Sequence, residues 1–102
     1  CEKMGRMFHR ERRYTDVDNV WLSYFVILKG GYLYFFRNPT DVRPSFSVYI
    51  KSGKVASVSN VDREHAFTIE KGQYVTYLAC ENPKDFEDWV NLLNKKISEY
   101  SA

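Results

Sequence analysis

The chain has little cysteine, no long apolar run and no strong charge of either sign. Each shortage excludes something. Its two cysteines, Cys1 and Cys80, cannot build a disulfide framework, so a reducing, intracellular setting is the simpler reading. No apolar run approaches the ~20 residues of a membrane span, and no signal-peptide pattern is visible. A net charge of +2 is too small to mark a nucleic-acid binder. His9 and His65 stand far apart, with no Cys, Asp or Glu set at metal-ligand spacing around them. Neither a metal nor a cofactor is therefore expected. Gly30-Gly31 is not followed by the helix a phosphate loop requires. Ser, His and Asp are scattered without a nucleophile elbow. These absences argue against an enzyme.

What is present suits one globular domain. The chain has 102 residues, of which 44% are hydrophobic and 17% aromatic. That length holds one core and is too short for two. It begins with Cys1 rather than Met, which predicts a piece of a longer protein, with Cys1 as an edge residue. Aromatic and β-branched side chains favour strands, and they fall in short runs separated by turn residues. The runs are Met4–Arg10, Val20–Leu28, Tyr32–Phe36, Phe46–Ile50, Val55–Val58, Ala66–Ile69 and Tyr74–Cys80. Lys29-Gly30-Gly31 is a strong hairpin signal between the second and third. Asn38-Pro39-Thr40-Asp41 opens the next loop and Pro44 closes it. The aromatic groups at 32–36 and 74–77 fit a barrel core better than base stacking, since no basic groove accompanies them.

The period changes after Asn82. Phe86, Trp89, Val90, Leu93 and Ile97 fall at helical spacing, which predicts a helix over about 83–99. Asn82 suits its cap and Pro83 its first turn. Asp85, Glu87 and Asp88 near the start, with Lys95 and Lys96 near the end, complement the helix dipole. Seven strands between about 4 and 81, then one amphipathic helix, predict a mainly β protein. The expected fold is a seven-stranded antiparallel barrel of two packed, near-orthogonal sheets, capped by the helix. A sheet of that size must curl or split to bury its apolar face, and the Trp89 stripe supplies the plug.

Four features in order give this chain a resemblance to the pleckstrin-homology family over nearly its whole length. Gly5-Arg6-Met7-Phe8-His9 looks like the family's Gly-x-Leu-x-Lys strand. Trp21 to Leu28, with the hairpin through Tyr34, looks like its Trp-Lys-x-Arg-Trp-Phe-Val-Leu strand and turn. Phe67-Thr68-Ile69 is similar to its Phe-x-Ile, and Trp89 to its helix tryptophan. The resemblance implies a binding module, and in many members the ligand is a phosphoinositide headgroup. The family's pocket lysine aligns with His9. Its two strand-two basic positions align with Leu22 and Tyr24, and its strand-three tyrosine with Phe35. All are replaced here, so those roles are not carried over.

The positive charge is local. Residues 1–13 hold Lys3, Arg6, Arg10, Arg12 and Arg13 against Glu2 and Glu11, while the rest of the chain carries ten basic and eleven acidic residues. The resemblance implies that the loop after the first strand edges the open end of the barrel and faces a membrane. His9, Arg10, Arg12, Arg13, Arg43 and Lys71 are therefore the expected anionic-headgroup contacts, with Phe8 and Tyr14 at the interface. Arginine suits phosphate through its planar fork, and His9 stands beside these arginines at the strand end. The expected partners are anionic phospholipids, phosphoinositide or phosphatidic acid, bound outside the usual pocket by a cytoplasmic, peripheral and monomeric domain. The alternative is a protein-interaction module of the same fold, suggested by Leu22 and Tyr24, with a partner on the helix or a strand edge. Cys80, within an apolar strand, reads as core. Cys1 is also open to acylation in a parent protein.

Overall fold

Strand β1, Lys3–Glu11, pairs on both its edges and so joins the whole architecture. The computed structural model describes residues 1–12 and 19–101. The strands that follow are β2, Val20–Lys29; β3, Tyr32–Phe36; β4, Phe46–Tyr49; β5, Lys54–Val58; β6, Ala66–Lys71; and β7, Tyr74–Ala79. Helix α1, Pro83–Ser101, ends the described chain. All pairings are antiparallel and the order is β4-β3-β2-β1-β7-β6-β5. The seven strands form one continuous sheet rather than two separate ones. The reason lies in β1. It pairs with β2 along its full length, from Lys3↔Leu28 to Glu11↔Val20. On its other edge it meets β7 at Phe8↔Ala79 and His9↔Leu78 alone.

Alternation builds the core. Met7 on β1, Val26 and Leu28 on β2, and Leu33 and Phe35 on β3 are buried with Phe67, Ile69 and Leu78 from the far strands. Trp89 is 1% exposed and Leu93 also lies in this cluster, with Phe86, Val90 and Ile97 packed against it. The helix thus closes the curled sheet as its apolar spacing predicts. At its start, Asn82 Oδ1 accepts the Asp85 N–H at 2.8 Å, and Asn82 Nδ2 donates to Asp85 Oδ2 at 3.1 Å. That is the cap expected of Asn82.

Some boundaries move. The helix continues beyond 99 to Ser101, so Lys95 and Lys96 are not in its last turn, which holds no basic residue. Lys96 instead pairs with Glu99 at 3.4 Å. Ile50 leaves β4 because its carbonyl turns to accept Gly53 N–H at 2.9 Å. Cys80 leaves β7, with its N–H bonded to the His65 carbonyl, and is buried. Gly30 and Gly31, at φ 60 and 85, supply the left-handed pair that the β2–β3 hairpin needs. No helix among the described residues is long and apolar enough to cross a membrane.

Candidate functional site

Neighbouring residues on a strand point to opposite faces, so β1 divides its own candidates. His9 and Glu11 face the barrel interior, while Phe8 and Arg10 face out. Inside the barrel mouth, Tyr24 Oη donates to Glu11 Oε2 at 2.5 Å. His9 Nδ1 lies 2.9 Å from the same oxygen. The His9 ring packs on Phe46 at 4.7 Å and Phe35 at 5.8 Å, and Phe35 and Phe46 stack at 4.4 Å. Arg37 reaches over the Tyr24 ring at 5.2 Å and donates to the Ser23 carbonyl at 3.0 Å.

The charges here are internally matched. Burial pushes the Glu11 carboxyl up, but the bonds from Tyr24 and His9 and the nearby Arg37 charge outweigh it and hold the group below its ordinary value. Burial and the bond to Glu11 push the Tyr24 phenol up to about 12. The mouth therefore holds an ionised carboxylate with its own donors.

The outer face carries a second cluster. Arg10 sits over the Tyr77 ring at 3.6 Å, and Arg63 over Phe8 at 3.4 Å. Trp21 Nε1 donates to Asp62 Oδ1 at 2.7 Å, and this bond, with the charges of Arg10 and Arg63, lowers the Asp62 carboxyl. These contacts tie the β5–β6 loop to the backs of β1 and β2, and Arg10 of β1 to β7. They also occupy the Arg10 guanidinium face and cover the Phe8 ring.

The remaining candidates lie at the loops. Arg12 is exposed just beyond β1. Arg13 and Tyr14 lie outside the described residues. Arg43 is exposed in the β3–β4 loop beside Val42, which is 93% exposed. Antiparallel alternation puts the β1–β2 and β3–β4 connections at one end, so Arg12 and Arg43 share it. Lys71 does not join Arg43. Its Nζ donates to the Tyr49 carbonyl at 3.3 Å and lies 4.4 Å from the Tyr49 ring centroid, at the other end of β4. The reason is connectivity: β5 follows β4 by a short turn, and Lys54 at its start pairs with Glu70 beside Lys71. The five expected headgroup contacts among the described residues are thus divided between the barrel mouth, its outer face, the loop end and the β4 edge.

Sequence reasoning passed over Glu11, Tyr24 and Arg37 as a group. Alternation places Glu11 on the same face as His9, and that signal was available. Nothing local marked Arg63 or Asp62.

The PH domain family model matches residues 1–98. The chain belongs to the PH domain family. PH domains are generally binding modules rather than enzymes. Among curated relatives, the human Interactor protein for cytohesin exchange factors 1 is 29% identical over 94 residues, covering 91% of this chain and 22% of the relative. Human Pleckstrin homology domain-containing family M member 2 is 30% identical over 83 residues, covering 78% of this chain and 8% of the relative. This PH domain therefore spans less than a quarter of either protein. A chain in the crystal structure of sifa and skip matches with TM-score 0.77 and 27% identity, covering 94% of this chain and 97% of that one. The C-terminal PH domain of pleckstrin in complex with D-myo-Ins(1,2,3,5,6)P5 matches with TM-score 0.78 and 19% identity, covering 93% of each, which shows the shared fold.

Proposed function

We propose that this PH domain is a non-catalytic, peripheral membrane-targeting module of the cytoplasm. It contacts anionic phospholipid headgroups, phosphoinositide or phosphatidic acid, through the cations of its β1–β2 and β3–β4 loops. The observation that carries the reading is the exposure of Arg12 and Arg43 at one end, with Val42 bare beside Arg43. Exposed cations next to an apolar side chain suit the boundary between headgroups and acyl chains. Arg13 and Tyr14 belong to the same loop by sequence. The barrel mouth is not the contact in this reading, because the Glu11 carboxylate would repel a phosphate there. Each cation contributes about 1 kcal/mol at an anionic surface, so binding is modest and screened by salt.

The test is sedimentation with phosphatidylcholine vesicles, plain or carrying phosphatidic acid or a phosphoinositide. The domain should pellet with the anionic vesicles only, and less as salt rises. The triple variant Arg12→Ala, Arg13→Ala, Arg43→Ala should stay in the supernatant. Equal pelleting of the variant would remove the loops from the contact.

A protein-interaction module is the second reading, favoured by the self-satisfied carboxylate in the barrel mouth. The name of the curated interactor relative is consistent with it. In that case no anionic vesicle would bind.

A further inference from the structure

The open edge of β4 borders a groove that the lipid reading does not use, and a partner docked there deepens the protein-interaction reading. Ile50 N–H bonds to the Gly31 carbonyl at 2.9 Å, which fixes the phase of the β3–β4 ladder. By antiparallel alternation, the backbone groups of Phe46 and Val48 face β3, and those of Ser47 and Tyr49 face away. The Tyr49 carbonyl on that open side accepts the Lys71 ammonium. Among the described residues, no strand pairs with the Ser47 N–H and carbonyl side of β4.

Beyond this edge lies a groove of about 610 Å³ between β4 and the β6–β7 hairpin. Val48, Tyr49, Ile69 and Tyr74 give it apolar walls, and Tyr74 is 73% exposed. Lys71 is the one charged residue among those lining it, and no carboxylate lines it. Tyr49 stacks on Tyr32 at 4.6 Å and packs close over Gly31, where a Cβ would meet its ring at 3.0 Å.

We propose that this edge receives an extended, acidic segment of a partner protein, which adds as a strand to β4. Main-chain bonds to the Ser47 N–H and carbonyl and to the Tyr49 N–H align the segment. Its apolar side chains enter between Tyr49 and Tyr74, and its carboxylate meets Lys71, which has no acidic partner in the groove. Strand addition of this kind takes its affinity from the backbone and its selectivity from the pockets for alternate side chains. The inference is independent of lipid contact at the loops.

The probe is a fluorescein-labelled heptapeptide, Glu-Val-Glu-Val-Glu-Val-Glu, with Lys-Val-Lys-Val-Lys-Val-Lys as the charge control. Anisotropy should rise with the acidic peptide alone. Amide resonances of Ser47, Tyr49 and Lys71 to Thr76 should shift, and the Ser47 amide should gain protection from exchange. Ser47→Pro removes an outward N–H while leaving the inward β3 ladder intact, so the fold should hold and affinity should fall about tenfold or more. Lys71→Glu should abolish binding of the acidic peptide. Equal binding by folded Ser47→Pro, equal binding of both peptides, no binding at all, or shifts confined to other strands would overturn the proposal. Self-association through the same amides would replace the partner segment by a second copy and overturn it likewise.

Discussion

Tyr24 and Glu11 meet across the barrel mouth at 2.5 Å, a neutral phenol donating to an ionised carboxylate. Burial and this bond together raise the phenol, while the bond, with His9 and Arg37, holds the carboxyl low against its burial. Tyr24→Phe removes the donor and leaves Glu11 with His9, at a cost of about 1–2 kcal/mol at neutral pH. The wild type also loses stability on both sides of neutrality. Glu11 has a folded value below 4.5, so its contribution is present above 4.5 and disappears as pH falls through the folded value. Tyr24 is raised, so its contribution is present below 10 and disappears as pH rises through about 12. Urea denaturation across pH should show a shallower alkaline decline in Tyr24→Phe than in the wild type.

Trp89 is the keystone of the plug. Trp89→Ala empties a site ringed by strands and should cost about 3–5 kcal/mol. Native domains have about 5–15 kcal/mol to lose, so the variant should melt far lower or fail to fold. Trp89→Phe fills most of the space and should lose less. Thermal unfolding by circular dichroism separates the two.

The helix cap is a smaller, separable contribution. Asn82→Ala removes the acceptor of the Asp85 N–H and should cost about 1 kcal/mol. Asn82→Ser keeps a cap acceptor without setting a second carboxylate against Asp85, and should lose less. Equal losses in the two variants by chemical denaturation would place the cap's contribution elsewhere.

Trp21 reports on the outer face. Its indole donates to Asp62, whose carboxyl is held low by that bond. The domain has two tryptophans, and Trp89 is buried. Trp21 fluorescence should therefore change as acid protonates Asp62 below the usual aspartate range. Asp62→Asn should abolish that transition without disturbing Trp89.

The two cysteines should differ in reactivity. Burial is the main force pushing the Cys80 thiol up to about 12, whereas Cys1 is exposed. A thiol reagent at neutral pH should modify Cys1 promptly, and Cys80 only on unfolding, because the thiolate is the reactive form. Prompt modification of both would mean that the strand end opens readily.

Most of the fold was legible because its signals are local. Two-residue alternation marks the strands, the Gly30-Gly31 pair marks a hairpin, and the helical stripe through Trp89 marks the plug. Strand joining was less legible. Nothing near β1 tells that its second edge meets β7 at only two residues, since that depends on residues at the far end of the chain. The site was legible in kind rather than in place. Charge counting collects Arg10, Arg12 and Lys71 as equals, but pleating turns Arg10 outward onto Tyr77, and the β4–β5 corner draws Lys71 to Tyr49. Glu11 was overlooked because a carboxylate in a basic stretch reads as a surface counter-charge until Tyr24 is seen opposite it.

The short seam at Phe8–Ala79 and His9–Leu78 governs the order of assembly. Strands one to four can zip as consecutive hairpins while the polypeptide is still emerging. Closure must wait for β7, because the first strand's second neighbour is the last strand of the domain. Until that seam forms, the domain is an unsealed ribbon in which Met7 and Phe35 lack the Phe67, Ile69 and Leu78 that cover them in the finished core.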